Sequence, residues 1–552
     1  MPINAFGVIR KLFTAHGLRL KRNIARGGAM ALMMGAVVGC GSAGPTASQK
    51  VPSSVVITAV MAKDPTTLDP ALNDGTYSDN FVKALFVPLI RFNRNLTMVP
   101  AGATSLPTVS DGGKIYTFHL RPGMVFSNGQ PVTAADYALN ITRILTPSLK
   151  SPLIGDFSDI AGARAYIAGK AHSVTGIKVV NPQTLQFSLR QPQRTFLDFI
   201  AIHGFPVPPQ LVHKYPSTFA YHVVGDGPYV LAGYVPGKQL VLKKNPRYYR
   251  ASSVKNSEIK VTIGISPQVG VLRVESGQTD VELNPVTGAT LLQMLQNPQY
   301  KKYVRSAKFV ADVYAAMNMT LAPFTNPLVR EAAALSVNRQ EILRTIYGRG
   351  RIMTQIIPYG MPGFDASLKP LPYNPTKAEA LLAKAGYPHG KGLPPITFVA
   401  DTSLPIFNAQ HIAEVMQQEL QQVGFHVHLQ IVTQKGIFRA DHSKTPLTLN
   451  IVGMNYPDPY TIMWTDFACS QRFFPNWADY CNRQVDQQMA SSEQLSLPAA
   501  IVVYRQMQQQ IEAAYPWIPL FYPKAAYAVN PHVQGVGVNA VQPFDFASWT
   551  KS

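Results

Sequence analysis

The sequence predicts an α/β fold. Stretches of strand length rich in β-branched and aromatic residues recur along the chain, amphipathic helical stretches with capping residues lie between them, and Gly, Pro, Asn and Asp clusters separate the two. The first strand falls at 54–61 (SVVITAVM), followed by the turn-rich Asp64-Pro65-Thr66-Thr67-Leu68-Asp69-Pro70 and a helix over 78–89. Residues 115–120 (IYTFHL) alternate as a strand, and Arg121-Pro122-Gly123 and Ser127-Asn128-Gly129 are turns. Thr133 with Asp136 forms a capping box that opens a helix running through Ile144. Residues 184–189 (TLQFSL) are a strand, and Gly225-Asp226-Gly227-Pro228-Tyr229 is a tight loop before a hairpin of 229–234 and 240–243 joined at Pro236-Gly237. Thr376 with Glu379 is expected to cap a helix ending at Gly386. Ile412, Val415, Met416, Leu420 and Val423 recur at helical spacing over 409–423, and a strand follows at 425–431.

The 552 residues suit two or three domains. Hydrophobic residues make up 46%, enough for sizeable cores. No apolar stretch reaches the roughly 20 residues of a membrane helix, which excludes a multi-span membrane protein. Fifty Lys and Arg against 30 Asp and Glu give a formal charge of +20. The basic residues are dispersed, with runs no longer than pairs such as Lys243-Lys244 and Lys301-Lys302, which argues against nucleic-acid binding. Charged residues are 14% of the chain, against about 25% in an average protein. Few carboxylates means little charge build-up when they protonate, as an acidic habitat would favour.

Residues 1–39 hold six of the basic residues (Arg10, Lys11, Arg19, Lys21, Arg22, Arg26) and no acidic one; without them +20 becomes +14. The basic flank precedes an apolar run over 29–38 and then Gly39-Cys40-Gly41-Ser42, the layout of an export signal. Val37-Val38-Gly39-Cys40 resembles a bacterial lipobox, which implies a lipid on the Cys40 thiol and a mature chain tethered through 40–54, rich in Ser, Gly, Pro and Ala. A plain secretory signal with an incidental Cys is the alternative, and translation from Met30 would remove the basic flank. Cys469 and Cys481, twelve positions apart, form one disulfide in an exported chain or remain two buried thiols.

Signals for catalysis are absent. The chain has no GxSxG and no HExxH. Gly386 to Gly392 (GYPHGKG) lacks the Ser or Thr of a phosphate loop, and Gly225-Asp226-Gly227 and Gly348-Arg349-Gly350 lack the third glycine of a dinucleotide fingerprint. His426 and His428 share a strand face, with no adjacent Asp, Glu or Cys to complete a metal site. No cofactor, metal or enzymatic activity is expected.

The chain from about residue 55 to its end resembles the family 5 extracellular solute-binding proteins, the peptide/nickel-type receptors of ABC importers. The resemblance is carried by Thr67-Leu68-Asp69-Pro70, by Phe126-Ser127-Asn128-Gly129-Gln130-Pro131-Val132-Thr133-Ala134-Ala135-Asp136, and by Gly225-Asp226-Gly227-Pro228-Tyr229 with Lys244-Asn245-Pro246-Arg247-Tyr248-Tyr249. Glu275-Ser276-Gly277-Gln278-Thr279-Asp280, Ser336-Val337-Asn338-Arg339 and Tyr456-Pro457-Asp458-Pro459 follow in order. It implies a two-lobed, periplasmic-binding-protein type II-like fold with an extra inserted domain and discontinuous lobes: lobe I at 55–90, 223–310 and 513–552, the inserted domain II at 91–222, and lobe III at 311–512. The implied function is capture of a peptide-like or other small polar solute in the interlobe cleft by hinge closure, and delivery to the importer's permease. The implied protein is a monomer, lipid-anchored at the outer face of the cell membrane or in the periplasm. A ligand-sensing or adhesion lipoprotein and a secreted hydrolase are the alternatives.

The resemblance also implies a site: Asp74, Gly75, Thr76 and Tyr77 on one lobe, Gly453, Met454, Asn455 and Tyr456 on the other, and Tyr522 in the last crossing segment. Where peptide-binding relatives present an Asp to the ligand's ammonium, this chain has Asn455, and where they often have Trp it has Val452. Asn cannot neutralise a cation, so an N-blocked peptide, a sugar or an opine-like compound stands beside ordinary peptides, unless Asp74 or Asp458 supplies the charge. The position of Cys469 and Cys481 after the Pro-Asp-Pro turn supports their pairing.

Overall fold

The computed structural model describes residues 55–286, 288–402, 408–432, 444–473, 475–537 and 544–552. Cys40, the signal segment and the tether lie outside these residues. Among the described residues no helix is long and apolar enough to cross a membrane.

A five-stranded sheet has the order Val281–Glu282, Val56–Met61, Glu258–Ile263, Gln239–Lys244, Tyr229–Val235. Val56–Met61 runs parallel to both of its neighbours, and the other strands form an antiparallel meander. Alternate residues Ile57, Ala59 and Met61 enter one core with Leu240, Leu242, Ile259 and Val261, the two-residue period that strands impose. The helix expected over 78–89 is Thr76–Leu85. It stops early because Val87 N–H donates to the Asp226 carboxylate at 2.9 Å and the next residue, Pro88, has no N–H to give. The 225–227 loop seats directly on the helix end: Gly227 N–H donates to Leu85 C=O at 2.9 Å, and a Cβ at Gly225 would stand 1.8 Å from that carbonyl.

An antiparallel sheet of Thr108–Ser110, Ile115–His119, Thr184–Ser188 and Ile177–Asn181 forms the second layer. Helix Ala134–Leu145 contacts it and opens with the expected capping box, Asp136 Oδ2 accepting from Thr133 N–H at 2.7 Å. Near its end Arg143 clasps Asp69 with both terminal nitrogens, at 3.0 and 2.6 Å. Both residues are buried, so this pair fixes the Thr67-Leu68-Asp69-Pro70 loop to the helix.

The third sheet has the order Val304–Lys308, Trp517–Ala528, Ala311–Met317, Leu447–Gly453, Ile396–Asp401, Val427–Val432, with Gly350–Ile352 also paired to Trp517–Ala528. Val313, Ala315 and Met317 face a core shared with Ile412, Met416 and Leu420 of helix Ala409–Gln422. Tyr314 and Ala316 face the opposite core, with Met463 and Phe467 of helix Tyr460–Phe467 and Met507 and Ile511 of helix Leu497–Ala513. On that side Tyr314 O–H donates to Asp466 at 2.6 Å, and burial pushes the carboxyls of Asp466 and Glu512 up to about 7. The helix expected to be capped by Thr376 is Pro375–Lys384, and its cap is Asn374, whose side-chain oxygen accepts from Lys377 N–H at 2.9 Å. Proline takes the first helical position, where a missing N–H costs nothing, which moves the boundary two residues upstream.

Trp517–Ala528 joins the molecule together. Its first half pairs with Ala311–Met317; its second half pairs with Val304–Lys308, and Ala525, Tyr527 and Val529 enter the core of the first sheet. Val529 also bridges to Val281 there.

Candidate functional site

A cavity of about 540 Å³ opens where three stretches of chain meet. The first is the loop before helix Thr76–Leu85. Asn73 is buried and its Oδ1 accepts from Gly75 N–H at 3.4 Å, a local turn that leaves Asp74 exposed at the cavity. One turn into the helix, Asp79 and Lys83 pair at 2.5 Å, four residues apart on one face. Burial raises the Asp79 carboxyl above its ordinary value, and Lys83 opposes that rise.

The second stretch is the 152–164 loop with helix Phe196–His203. Asp159 pairs with Arg164 at 2.8 Å and Arg190 at 3.4 Å. Asp156 lies 3.7 Å from His203 Nε2, beyond hydrogen-bond length. Burial pushes Asp156 up to about 7 and His203 down to about 3, the latter helped by Lys83, so the imidazole is neutral and cannot offset the carboxylate.

The third stretch follows strand Leu447–Gly453. Met454 N–H donates to Val310 C=O at 2.9 Å, which turns the chain so that Asn455 is exposed in the cavity while Tyr456 is buried edge-on against Phe199, ring centres 5.4 Å apart. Helix Tyr460–Phe467 then places Tyr460 and Trp464 on one face, rings stacked 6.0 Å apart and 8° from parallel. Both line the cavity, and Trp464 is 40% exposed.

Beneath this wall Asp458 accepts from Tyr460 N–H at 2.9 Å, from Tyr504 O–H at 3.1 Å and from the Arg194 guanidinium. Arg194 also reaches Glu493 at 3.2 Å, and Thr195 O–H donates to the same carboxylate. The cluster ties the segment before helix Phe196–His203 to the segments around 458, 493 and 504.

Of the sequence-derived site residues, Asp74, Gly75, Met454, Asn455 and Tyr456 line this one cavity. Thr76 and Tyr77 form the first turn of helix Thr76–Leu85, and their side chains lie outside the described part of the molecule. Gly453 ends its strand opposite Ala311, outside the cavity lining. Tyr522 is 3% exposed and faces inward: its hydroxyl accepts from Gln355 N–H at 3.0 Å and donates to Gln355 C=O at 2.8 Å, so it braces a loop and does not line the cavity. Asp458, a second possible source of charge, is taken up by Arg194. Cys469 and Cys481 are joined by a disulfide, S–S 2.11 Å. Asp156, Lys83, His203, Tyr460 and Trp464 were not anticipated from the sequence. Of these, only the four-residue spacing of the two aromatics after the Pro-Asp-Pro turn was visible as a pattern. Among the described residues no group of three or more His, Cys, Asp or Glu is placed to hold a metal.

Residues 97–474 match the family described as bacterial extracellular solute-binding proteins, family 5 Middle. The glutathione-binding protein GsiB of Escherichia coli O6:K15:H31 is 27% identical over 499 residues, covering 87% of this chain and 91% of its own. The probable deoxycholate-binding periplasmic protein YgiS of Escherichia coli K12 is 26% identical over 497 residues, covering 88% and 91%. The crystal structure of a periplasmic oligopeptide-binding protein (OppAIV) from Borrelia burgdorferi shares the fold with a TM-score of 0.77 at 22% identity, over 90% of this chain and 100% of that one. With more than half its length inside the family match and its two-lobed α/β architecture shared with such receptors, the chain belongs to the family 5 extracellular solute-binding proteins of ABC importers.

Proposed function

We propose that this chain is an exported, lipid-anchored receptor that captures a peptide-like or other small polar solute in the cavity between its lobes, closes over it, and hands it to the permease of an ABC importer. Cys40 carries the lipid and 40–54 is the tether. Lobe I comprises 55–90, 223–310 and 513–552, domain II 91–222, and lobe III 311–512, with strand Trp517–Ala528 as the last crossing. The observation that carries this reading is the cavity, because each of these three parts contributes one wall: Asp74 and Gly75, Asp156 and His203, Asn455 and Trp464. A volume of about 540 Å³ suits a small solute. Relatives named for glutathione, deoxycholate and oligopeptides support guests of that range. The receptor works by recognition, and closure supplies the differential contact that a permease reads.

Native mass spectrometry of the purified chain is expected to reveal a carried solute, with small-angle scattering contracting when that solute is added back to stripped protein. No bound solute from a broad nutrient panel, with unchanged scattering, would refute the proposal. Asn455→Asp is expected to shift preference toward free amino termini. Calorimetry on a free and an N-acetylated tripeptide tests this, and equal responses in both proteins would remove Asn455 from the site.

A further inference from the structure

The cavity's charges do not cancel. Among its lining residues Asp74, Asp79, Asp156 and Asp159 face only Lys83 and Arg164 as permanent cations. Asp79 is matched by Lys83 and Asp159 by Arg164. Asp74 has no ion-pair partner among the described residues, and Asp156 has none but a neutral imidazole at 3.7 Å. This acidic cavity lies in a chain of formal charge +20, so it is a local feature set against the field of the whole molecule. Two further observations point to what enters. The Tyr460–Trp464 pair presents an exposed aromatic face in the same cavity. About a third of the Asp156 side chain is accessible.

Resting on the receptor reading above, we infer that the cavity selects a positively charged solute, its cationic group held by the Asp156 carboxylate and its body laid on the Tyr460–Trp464 rings. Asp74 adds negative potential from the facing wall. A half-buried carboxylate left unpaired becomes costly once closure withdraws it from water, and a cationic guest supplies the missing partner at that moment. An ammonium or guanidinium over the aromatic face gains cation–π attraction as well. The charge that Asn455 cannot give comes from the inserted domain. That domain is thereby a specificity element and not only a brace. Burial that raises the Asp156 carboxyl to about 7 agrees with a group lacking its counter-charge.

The test is competitive enrichment. The full chain is mixed with an equimolar library of di- to tetrapeptides and small polar amines, acids and sugars of either sign and of zero charge. Retained members are identified by mass spectrometry. Cationic members are expected to be enriched about tenfold or more over neutral members of equal size. Asp156→Asn is expected to erase that preference and Asp156→Glu to keep most of it, with melting temperatures near the parent's. If Asp156→Asn folds poorly, Asp74→Asn on its exposed loop is expected to lower the enrichment in a folded protein. Retention of neutral or anionic members by the parent chain, or an unchanged profile in a folded Asp156→Asn protein, overturns the inference and leaves solute binding standing. Retention of nothing overturns the receptor reading itself.

Discussion

Asp156 lines the cavity and Asp458 lies beneath its aromatic wall, and the chain treats the two carboxylates in opposite ways. Asp458 is 2% exposed and accepts from a guanidinium, a phenol and a backbone amide. Among the described residues the one ion-pair candidate of Asp156 is the neutral His203, at a distance too long for a hydrogen bond. The first carboxylate has its full complement of donors and holds the 456–460 turn in place beneath the aromatic pair. The second is left short, at a place where a solute can reach it. Full pairing fits a structural role for Asp458; on the inference drawn above, the short pairing of Asp156 together with its access to the cavity leaves it for a solute.

Breaking the complete side of this contrast is expected to have the largest effect. Arg194→Ala leaves Asp458 and Glu493 buried without their cation and is expected to cost about 3–5 kcal/mol of stability, read from urea unfolding. A loss near zero would mean that the cluster is solvated and does not hold the wall. A second effect follows from buried carboxyls that have no basic partner among the described residues. Burial pushes Asp226 and Glu282 up to about 8 and Asp466 and Glu512 up to about 7. Unfolded, these groups release their protons near pH 4. From about pH 4 to about pH 8 the folded chain therefore binds more protons than the unfolded chain, and stability falls as the pH rises through that window. The urea midpoint is expected to be higher near pH 5 than near pH 8; the reverse order would mean that these carboxyls are ionised in the folded chain. The smallest destabilisation belongs to Asp156→Asn, expected to leave stability unchanged or raise it while abolishing charge preference. If it unfolds the protein as Arg194→Ala does, Asp156 is a structural residue and the contrast fails.

Much of the fold was legible because local rules and tertiary packing agree. The Thr133–Asp136 capping box, the Pro236-Gly237 hairpin turn, with Gly237 at φ 71°, and the face of Ile412, Met416 and Leu420 all sit where the pattern places them. The helix end at Leu85 was half legible: Pro88 is a stop signal in the sequence, but the carboxylate that takes Val87 N–H belongs to Asp226, 139 positions away. The cavity was half legible. Asp74 and Asn455 come from loops that the family motifs mark. Asp156 and His203 come from a stretch with no motif, and the path of the inserted domain alone brings them to the same opening. Tyr522, named from its place in a crossing strand, lies apart from this cavity, its hydroxyl bonded to the backbone at Gln355, and the sequence carries no sign of that bond.

Strand Trp517–Ala528 sits between Ala311–Met317 and Val304–Lys308 and also closes the core beneath the first sheet. Both cores therefore wait for a strand that is made long after their other strands. A nascent chain lacking that strand has a gap in its largest sheet and an open seam in its other core, so it cannot complete its native contacts until the strand is made.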